Sequence, residues 1–204
     1  MSRELSDNRG KRKYLIDIEL DQFLDAASNL ERADVRTFCM TLAYTGCRIS
    51  EALALTVDRV DLSARAVTLR TLKQGKYRNG KHKGQPKILF RSVPVPDHYI
   101  DALKMVHLIK KVQRRKCGGE DFRLWSFTRS TASLYVSEVM KTAGISGLHA
   151  SAKGLRHGFG VRLAQKTRNP RLVQKLLGHR SLETTAIYMD LVGEEERAEV
   201  MGVG

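Results

Sequence analysis

The chain has 204 residues and a formal net charge of +14 at pH 7, with a sequence pI near 10.0. The length suits one domain with a real hydrophobic core, and the charge favours a polyanionic partner, nucleic acid before a ribosome or a membrane surface. Three cysteines without Cys-x-x-Cys spacing argue against a disulfide framework or a zinc site, and the lack of an 18-residue apolar stretch and of a signal-peptide core leads us to expect a reducing cytoplasm.

The first elements are an arm and three helices. Residues 1–16 begin with a polar, basic stretch that has no hydrophobic period, so we expect a loose arm. Apolar residues at i, i+3, i+4 and i+7 then predict one helix capped by Asp17 and a second that ends at Gly46. A short third helix is expected over residues 49–55.

Arg48 is predicted at the N-terminus of this third helix. Free N–H groups and the helix dipole favour an anion at such a position. Glu51, three residues further on, can hold the Arg48 guanidinium in place. The alternative is an ordinary surface Arg–Glu pair, which contributes little to stability.

A basic hairpin follows. Residues 66–70 alternate as a strand does, and residues 88–95 form a second apolar run that we expect Pro94 and Pro96 to end. Residues 62–96 contain nine Lys or Arg and no Asp or Glu, which indicates either a solvated loop or a hairpin that follows phosphates. The residues expected to contact a phosphate backbone are Lys76, Arg78, Lys81, Lys83 and Lys87.

The middle of the chain is predicted to be helical. One helix is expected from Asp97 to Cys117, and its polar stripe places His107 in solvent. Trp125 lies in an irregular stretch and is expected to be an apolar anchor. A further helix is expected to end with Gly144 as its C′ residue.

Two more helices and a turn precede a tyrosine. Residues 153–166 read as a helix whose glycines would permit close backbone approach. Asn169 is the expected N-cap of the next helix, which Gly178 ends. His179 is therefore expected in a turn, followed by one more helix that carries Tyr188.

Several short motifs together resemble one family. The chain contains T-G-x-R-x-x-E from Thr45 to Glu51, then the basic hairpin, then the pair Arg156–His157. Its strongest motif is L-G-H-x-S-x-x-T-T-x-x-Y, from Leu177 to Tyr188. This combination resembles the tyrosine recombinases of the phage-integrase family over roughly residues 19–188.

The resemblance implies cleavage of a phosphodiester without a metal or any other cofactor. Arg48 and Arg156 would neutralise the non-bridging oxygens, because a guanidinium is a fixed and always charged fork of donors. His179 would donate a further hydrogen bond to the same phosphate. Tyr188 would be the nucleophile, forming a phosphotyrosine bond that conserves the energy of the broken bond.

The remaining catalytic positions are lysines. Lys73, just after the first hairpin strand, is the candidate for protonating the leaving oxygen, with Lys76 as the alternative. Lys153 stands where most of the family has histidine, three residues before the second arginine, so its role as a base needs a lowered pKa. His149 lies four residues before that position, and His157 is expected to be a buried supporting histidine.

The implied fold is mainly α with a small antiparallel β-sheet, the α+β catalytic fold of tyrosine recombinases and type IB topoisomerases. We expect a basic N-terminal arm over residues 1–16, a catalytic domain over 17–189 and an acidic C-terminal tail helix over 190–204. The tail carries a net charge of −4, which leaves +18 on the first 189 residues. The chain resembles catalytic-domain-only recombinases such as fimbrial invertases, or a piece of a longer recombinase.

Three functions remain open at this point. The first is a site-specific recombinase that acts as integrase, resolvase or invertase on a mobile genetic element. The second is a type IB topoisomerase-like relaxer, favoured by the K-x-x-R spacing, and the third is a DNA-binding regulator with weak catalysis. Double-stranded DNA, self-assembly into a tetramer through a tail that docks in trans, and an accessory DNA-bending protein are the expected partners, on the nucleoid and away from membranes.

Overall fold

The computed structural model describes residues 5–72, 77–78, 81–82, 88–114 and 122–202. Helices make up most of these residues, and their apolar faces enclose the core. Their bounds are α1 (Asp17–Ser28), α2 (Ala33–Thr45), α3 (Ile49–Leu53), α4 (Asp97–Val106), α5 (Ile109–Gln113), α6 (Arg129–Thr142), α7 (Ala152–Thr167), α8 (Pro170–Leu177) and α9 (Glu183–Met201). A 3-10 turn, Val57–Arg59, connects α3 to the first strand.

A small antiparallel sheet lies beside the helices. Its strands are β1 (Val60–Asp61), β2 (Ala66–Leu72) and β5 (Ile88–Pro94), in the order β1-β2-β5. Two shorter strands, β3 (Tyr77–Arg78) and β4 (Lys81–His82), pair with each other. The predicted mainly α fold with a small antiparallel sheet is confirmed.

The last strand ends at a proline, as expected. Pro94 is the final residue of β5 and lies opposite Ala66 of β2. β5 is an edge strand of the sheet, where a missing N–H breaks no ladder bond.

The core has a large and a small part. The large part packs α1, α2, α4 and α6 around residues such as Phe38, Leu42 and Leu103, all fully buried. The small part joins α7, α8 and α9 and contains Leu177 and Tyr188. A tyrosine that was expected to attack DNA is therefore packed among aliphatic side chains.

Several helix ends lie where the sequence placed them. α2 ends at Gly46, whose φ of 57° is left-handed, and α8 ends at Gly178 with φ of 67°. The Asn169 side chain accepts a hydrogen bond from the N–H of Leu172 at 3.1 Å. The N-cap of α1 is Ile16 rather than Asp17, and the Glu19 carboxylate accepts the Ile16 N–H at 3.1 Å.

The expectation of a loose arm is wrong for residues 5–16. Leu5 and Leu15 are buried, at 2% and 1% exposure. Arg12 donates to the Glu19 carboxylate of α1 at 2.6 Å, and the Leu15 N–H donates to the Gly154 carbonyl of α7 at 3.3 Å. This segment is pinned to α1 and α7.

The expected helix from Asp97 is interrupted, and His107 does not face solvent. Leu108 adopts a left-handed φ of 49°, which separates α4 from α5. The break turns the His107 ring towards Trp125, edge to face at 5.4 Å, with Nε2 at 3.0 Å from the Thr37 hydroxyl. Burial lowers the pKa of His107 to about 4. Trp125 is buried against Phe38, as an apolar anchor should be.

His107 should make stability fall in mild acid. Its pKa is depressed in the folded state, so folding gains nothing from this group above pH ~6.5 and is penalised increasingly as pH falls from ~6.5 to about 4. The His107→Gln variant should reduce that loss by up to about 2 kcal/mol. Urea unfolding at pH 7 and pH 4.5 measures it. A His107→Gln variant whose stability falls between pH 7 and pH 4.5 as steeply as that of the wild type would contradict the assignment.

Candidate active site

A basic groove of about 950 Å³ lies between α3, the sheet and α8. Glu51 and His179 are among its lining residues. Such a concentration of positive charge attracts phosphate groups. The basic side chains that line it are Arg48, Arg70, Arg91, Arg123, Arg129, Arg171, Lys175 and Arg180.

Arg48 lies at the N-cap of α3, as the sequence indicated. Its Nη1 donates to Oε1 of Glu51 at 3.0 Å, and its backbone N–H donates to Oε2 at 3.0 Å. The Arg48 side chain is 49% exposed, whereas that of Glu51 is 5% exposed. The pair is therefore anchored on a buried carboxylate, unlike an ordinary surface pair.

The Glu51 carboxylate collects donors from three elements. Besides Arg48, the Thr71 hydroxyl of β2 donates at 3.0 Å, and Nη2 of Arg91 in β5 donates at 2.6 Å. Burial alone would raise the pKa of Glu51, but the hydrogen bonds and charges of Arg91 and Arg48 outweigh it and lower the pKa to about 2. The carboxylate is ionised at neutral pH and fixes the base of the groove.

Arg156 is buried and contacts backbone carbonyls. Nη1 donates to the Gly46 carbonyl at 2.7 Å, and Nη2 donates to the Leu177 carbonyl at 2.7 Å. These carbonyls end α2 and α8, where the helix dipole concentrates negative charge. Burial, together with the charge of Arg48, lowers the pKa of Arg156 to about 10, so it remains charged at neutral pH.

His179 follows the end of α8 and lines the groove. Its Nδ1 is 3.0 Å from the hydroxyl of Thr185, which is fully buried in α9. Burial, with the charges of Arg156 and Arg48, lowers the pKa of His179 to about 3. If the hydroxyl donates to Nδ1, the neutral ring carries its proton on Nε2 and can donate it to a phosphate.

Tyr188 lies directly beneath His179. The two rings stack with centroids 6.0 Å apart and planes 14° apart. The Tyr188 hydroxyl is 2.9 Å from Nδ1 of His157, and the side chain is only 1% exposed. Burial, then the charge of Lys153, lowers the pKa of His157 to about 4, so this ring is neutral. His157 therefore holds the candidate nucleophile in a buried position.

Gly160 leaves the space that the Tyr188 ring occupies. A Cβ at Gly160 would lie 2.6 Å from the ring, closer than van der Waals contact allows. Gly160→Ala should lower the free energy of unfolding by about 1–3 kcal/mol and slow any reaction of Tyr188.

The matched control is Gly193→Ala, also within a helix but with nothing within 4 Å of the added Cβ. It should raise the free energy of unfolding by up to about 1 kcal/mol, because alanine favours the helix. Urea unfolding of both variants measures the difference. An equal increase in the free energy of unfolding of both variants would show that the Tyr188 ring moves aside without loss of stability.

Lys153 does not line the groove, although it lies near the buried pair of His157 and Tyr188. It is exposed on the first turn of α7, one helical turn before Arg156 and His157. His149 does not intrude either, because its Nε2 is 3.1 Å from Oε1 of Glu19.

The structure brings together six of the predicted site residues in two layers. Arg48, Glu51 and His179 lie at the groove, and Arg156, His157 and Tyr188 lie beneath it. Four predicted lysines, Lys73, Lys76, Lys83 and Lys87, lie outside the described residues. Arg78 and Lys81 are placed opposite each other in β3 and β4.

Thr185 and Arg91 are two of the site residues that the sequence analysis did not predict. Thr185 was part of the quoted motif, and its spacing from His179 was the signal that could have identified it. Arg91 looked like one of nine basic residues in the hairpin run, and only the fold separates it from them.

The described residues contain no group of three or more His, Cys, Asp or Glu that could hold a metal ion. Within the same ranges, no helix is both long enough and apolar enough to cross a membrane. The two described cysteines, Cys39 and Cys47, are buried free thiols.

Comparison with known proteins gives a consistent result. The sequence profile of the phage integrase family matches residues 13–195. A curated relative, a resolvase of Escherichia coli, is 30% identical over 191 residues, which covers 86% of this chain and 72% of the relative.

Solved structures extend the similarity to the fold. The XerA recombinase is 25% identical with a TM-score of 0.68, covering 91% of this chain and 64% of that one. The XerH site-specific recombinase, solved in a pre-cleavage complex bound to its difH substrate, is 25% identical with a TM-score of 0.65. It is matched over 90% of this chain and 55% of its own, so the present chain spans little more than half of that recombinase.

Proposed function

Because the chain belongs to the phage integrase family, we propose that it is a site-specific DNA recombinase. It cuts and rejoins DNA through a covalent 3′-phosphotyrosine intermediate. The observation that carries this proposal is the layered site, in which His179 lies at a basic groove and stacks on Tyr188. A resolvase among the relatives and a recombinase bound to its substrate among the similar structures support it.

The first task of such a site is to hold the scissile phosphate. Arg48 is half-exposed at the groove and still tied to Glu51, so its remaining donors can reach one non-bridging oxygen. Arg156 uses two of the five N–H donors of a guanidinium on carbonyls, which leaves donors for the other oxygen. Nε2–H of His179 adds a third contact. These donors stabilise the charge that develops on the phosphate.

The second task is transfer of the phosphoryl group. The Tyr188 oxygen forms a bond to phosphorus, and the bond from phosphorus to the 5′ oxygen breaks. The phenol proton passes to a base, for which Lys153 and His157 are the nearby candidates, and the leaving oxygen takes a proton from Lys73 or Lys76. Rejoining is the reverse, with the 5′ hydroxyl as nucleophile, so the reaction needs no external energy source.

Attack requires Tyr188 to leave its buried position. At 1% exposure and bonded to His157, its hydroxyl does not face the groove. Tyr188 lies in the second turn of α9, and the turn at residues 178–182 joins that helix to α8. A shift of α9 carries the Tyr188 oxygen to the phosphate and breaks its bond to His157, while the phenol proton stays with the base.

DNA binding should depend strongly on salt, because binding releases counterions from phosphates. Arg171 and Lys175 are exposed on one face of α8 in the groove. Changing both to glutamine should reduce the slope of log K against log salt by about 0.9 for each phosphate that the protein no longer neutralises. Fluorescence anisotropy at several salt concentrations measures it. Lys110→Gln with Lys141→Gln removes two exposed charges outside the groove and serves as the control; equal slope changes would place DNA elsewhere.

Assembly is part of the proposal. Exchange of four strands needs four active sites, so the active form is a tetramer on DNA, with an accessory DNA-bending protein as a further partner. The acidic tail is helical as far as Met201, as expected, but it is continuous with the tyrosine helix and not a separate one, since α9 runs from Glu183 to Met201. Docking of this helix in trans would couple a neighbouring subunit to the position of Tyr188.

A suicide substrate tests the function. A duplex from the DNA flanking the gene, nicked one or two nucleotides from a candidate scissile phosphate, loses the short leaving strand by diffusion and traps the cut state. The protein should become covalently attached to one labelled strand. DNA binding without any attachment across all flanking duplexes would instead indicate a regulator.

One observation favours a second candidate. Lys153 stands in place of the usual histidine, and the related type IB topoisomerases carry lysine at that position. Such an enzyme would relax supercoiled plasmids that lack any recombination site. A recombinase should act only on plasmids that contain the site found with the suicide substrates.

A further inference from the structure

Arg91 is a buried charged residue at the junction of β5 and α8. Its side chain is 5% exposed. An isolated charge in such a place is costly, and it persists only when its donors are satisfied. The contacts of this guanidinium therefore indicate its role in the protein.

The Arg91 guanidinium connects three separate elements. Nη1 and Nη2 donate to the two oxygens of Glu51 in α3, at 3.3 and 2.6 Å. Nη1 also donates to the Thr71 hydroxyl of β2, and Nε donates to the Leu176 carbonyl of α8 at 2.9 Å. A planar fork of fixed geometry holds such acceptors at set positions relative to one another.

Gly178 makes room for this arrangement. A Cβ at Gly178 would lie 2.8 Å from Nη1 of Arg91, and the φ of 67° also favours glycine. Two features therefore favour glycine at position 178: the left-handed turn and the Arg91 guanidinium packed against it.

The residues that Arg91 contacts also support two residues of the site, Arg48 and His179. The Glu51 carboxylate also binds the side chain and the backbone N–H of Arg48. On the other side, the Leu176 carbonyl belongs to the last turn of α8, and His179 follows three residues later. Arg91 thus lies between the structural supports of Arg48 and His179, which both line the groove.

Counting donors separates positioning from direct contact. A guanidinium has five N–H donors, and the four bonds to Glu51, Thr71 and Leu176 occupy four of them. With one donor left, Arg91 offers a phosphate fewer hydrogen bonds than Arg156, which keeps three of its five donors, so Arg91 is poorly suited to bind the phosphate itself.

We propose that Arg91 is a positioning residue for DNA cleavage, which fixes the placement of Arg48 relative to His179 across the groove. This inference rests on the proposed function. Small displacements of such groups are costly in catalysis, since a misplacement of about 1 Å can slow a reaction by about 10²-fold.

The test uses Arg91→Lys, which keeps the positive charge beside Glu51. Its three donors share one nitrogen instead of a planar fork, so it cannot reproduce the four bonds to α3, β2 and α8. Single-turnover covalent attachment to the suicide substrate should slow by about 10²-fold, while DNA affinity changes little. In an Arg48→Ala background the same substitution should slow attachment by less than about tenfold, because one group that Arg91 positions is already gone. Equal factors in both backgrounds would mean a general structural role, and no slowing in either would also overturn the proposal.

Arg65→Lys is the matched control, since Arg65 also pairs with carboxylates, those of Asp97 and Asp101, but is exposed and outside the groove. It should leave the rate of attachment unchanged.

A second measurement does not require catalysis. Hydrogen exchange of the backbone amides of Arg48 and His179 should accelerate together in Arg91→Lys, while the amide of Val136 in the middle of α6 should not change. If the wild-type protein never attaches to DNA, the proposed function fails, and this measurement still decides whether Arg91 holds the two sites. Unchanged exchange at Arg48 and His179 would overturn the inference.

Discussion

Replacing Tyr188 by phenylalanine should abolish covalent attachment to DNA and leave DNA affinity within about twofold, because phosphate contacts elsewhere supply most of the binding energy. The change removes only the hydroxyl that would attack phosphorus. The ring stays in the small core and keeps its stacking on His179. A denaturing gel of adducts formed on the suicide substrate measures the first effect, and anisotropy measures the second.

The matched control is Tyr44→Phe, which removes another phenol hydroxyl that is bonded to a histidine, here Nε2 of His98 at 2.8 Å. It should attach to DNA at the wild-type rate. Attachment that survives in Tyr188→Phe would assign the nucleophile to a different residue.

Replacing Arg48 by alanine should slow cleavage by about 10²–10³-fold, the usual cost of removing one donor that stabilises developing charge. Stability should change by less than about 1 kcal/mol, because the Arg48 side chain is half-exposed and Glu51 keeps Arg91 as a partner. Single-turnover attachment and urea unfolding of the same preparations measure the two effects.

Arg65→Ala is the control for this variant, since it removes an exposed, carboxylate-paired guanidinium outside the groove. It should change neither rate nor stability appreciably. If Arg48→Ala cleaves at the wild-type rate, the phosphate does not bind at this end of the groove.

Local signals explain which parts of the fold were predictable. Glycines at the ends of α2 and α8 and the Asn169 cap act within a few residues of the chain, so the sequence alone shows them. His107 was misplaced for the opposite reason. Helical periodicity put it in solvent, but Leu108 breaks the helix and the ring packs on Trp125 from a distant segment.

The same distinction applies to the site. Arg48, Glu51, His179 and Tyr188 belong to short motifs with fixed spacing, and the structure brings them to one place. Arg91 depends on acceptors in three elements far apart in the chain, and no local pattern distinguishes it from the lysines and arginines around it. The buried state of Tyr188 also depends on tertiary packing.

The most direct measurement is to identify the residue and the atom that carry the DNA. The adduct formed on the suicide substrate is digested with protease and nuclease, and mass spectrometry locates the remaining nucleotide on the peptide. We expect a nucleotide joined through its 3′ phosphate to the oxygen of Tyr188. Attachment to any other residue, or through a 5′ phosphate, would contradict the proposed mechanism.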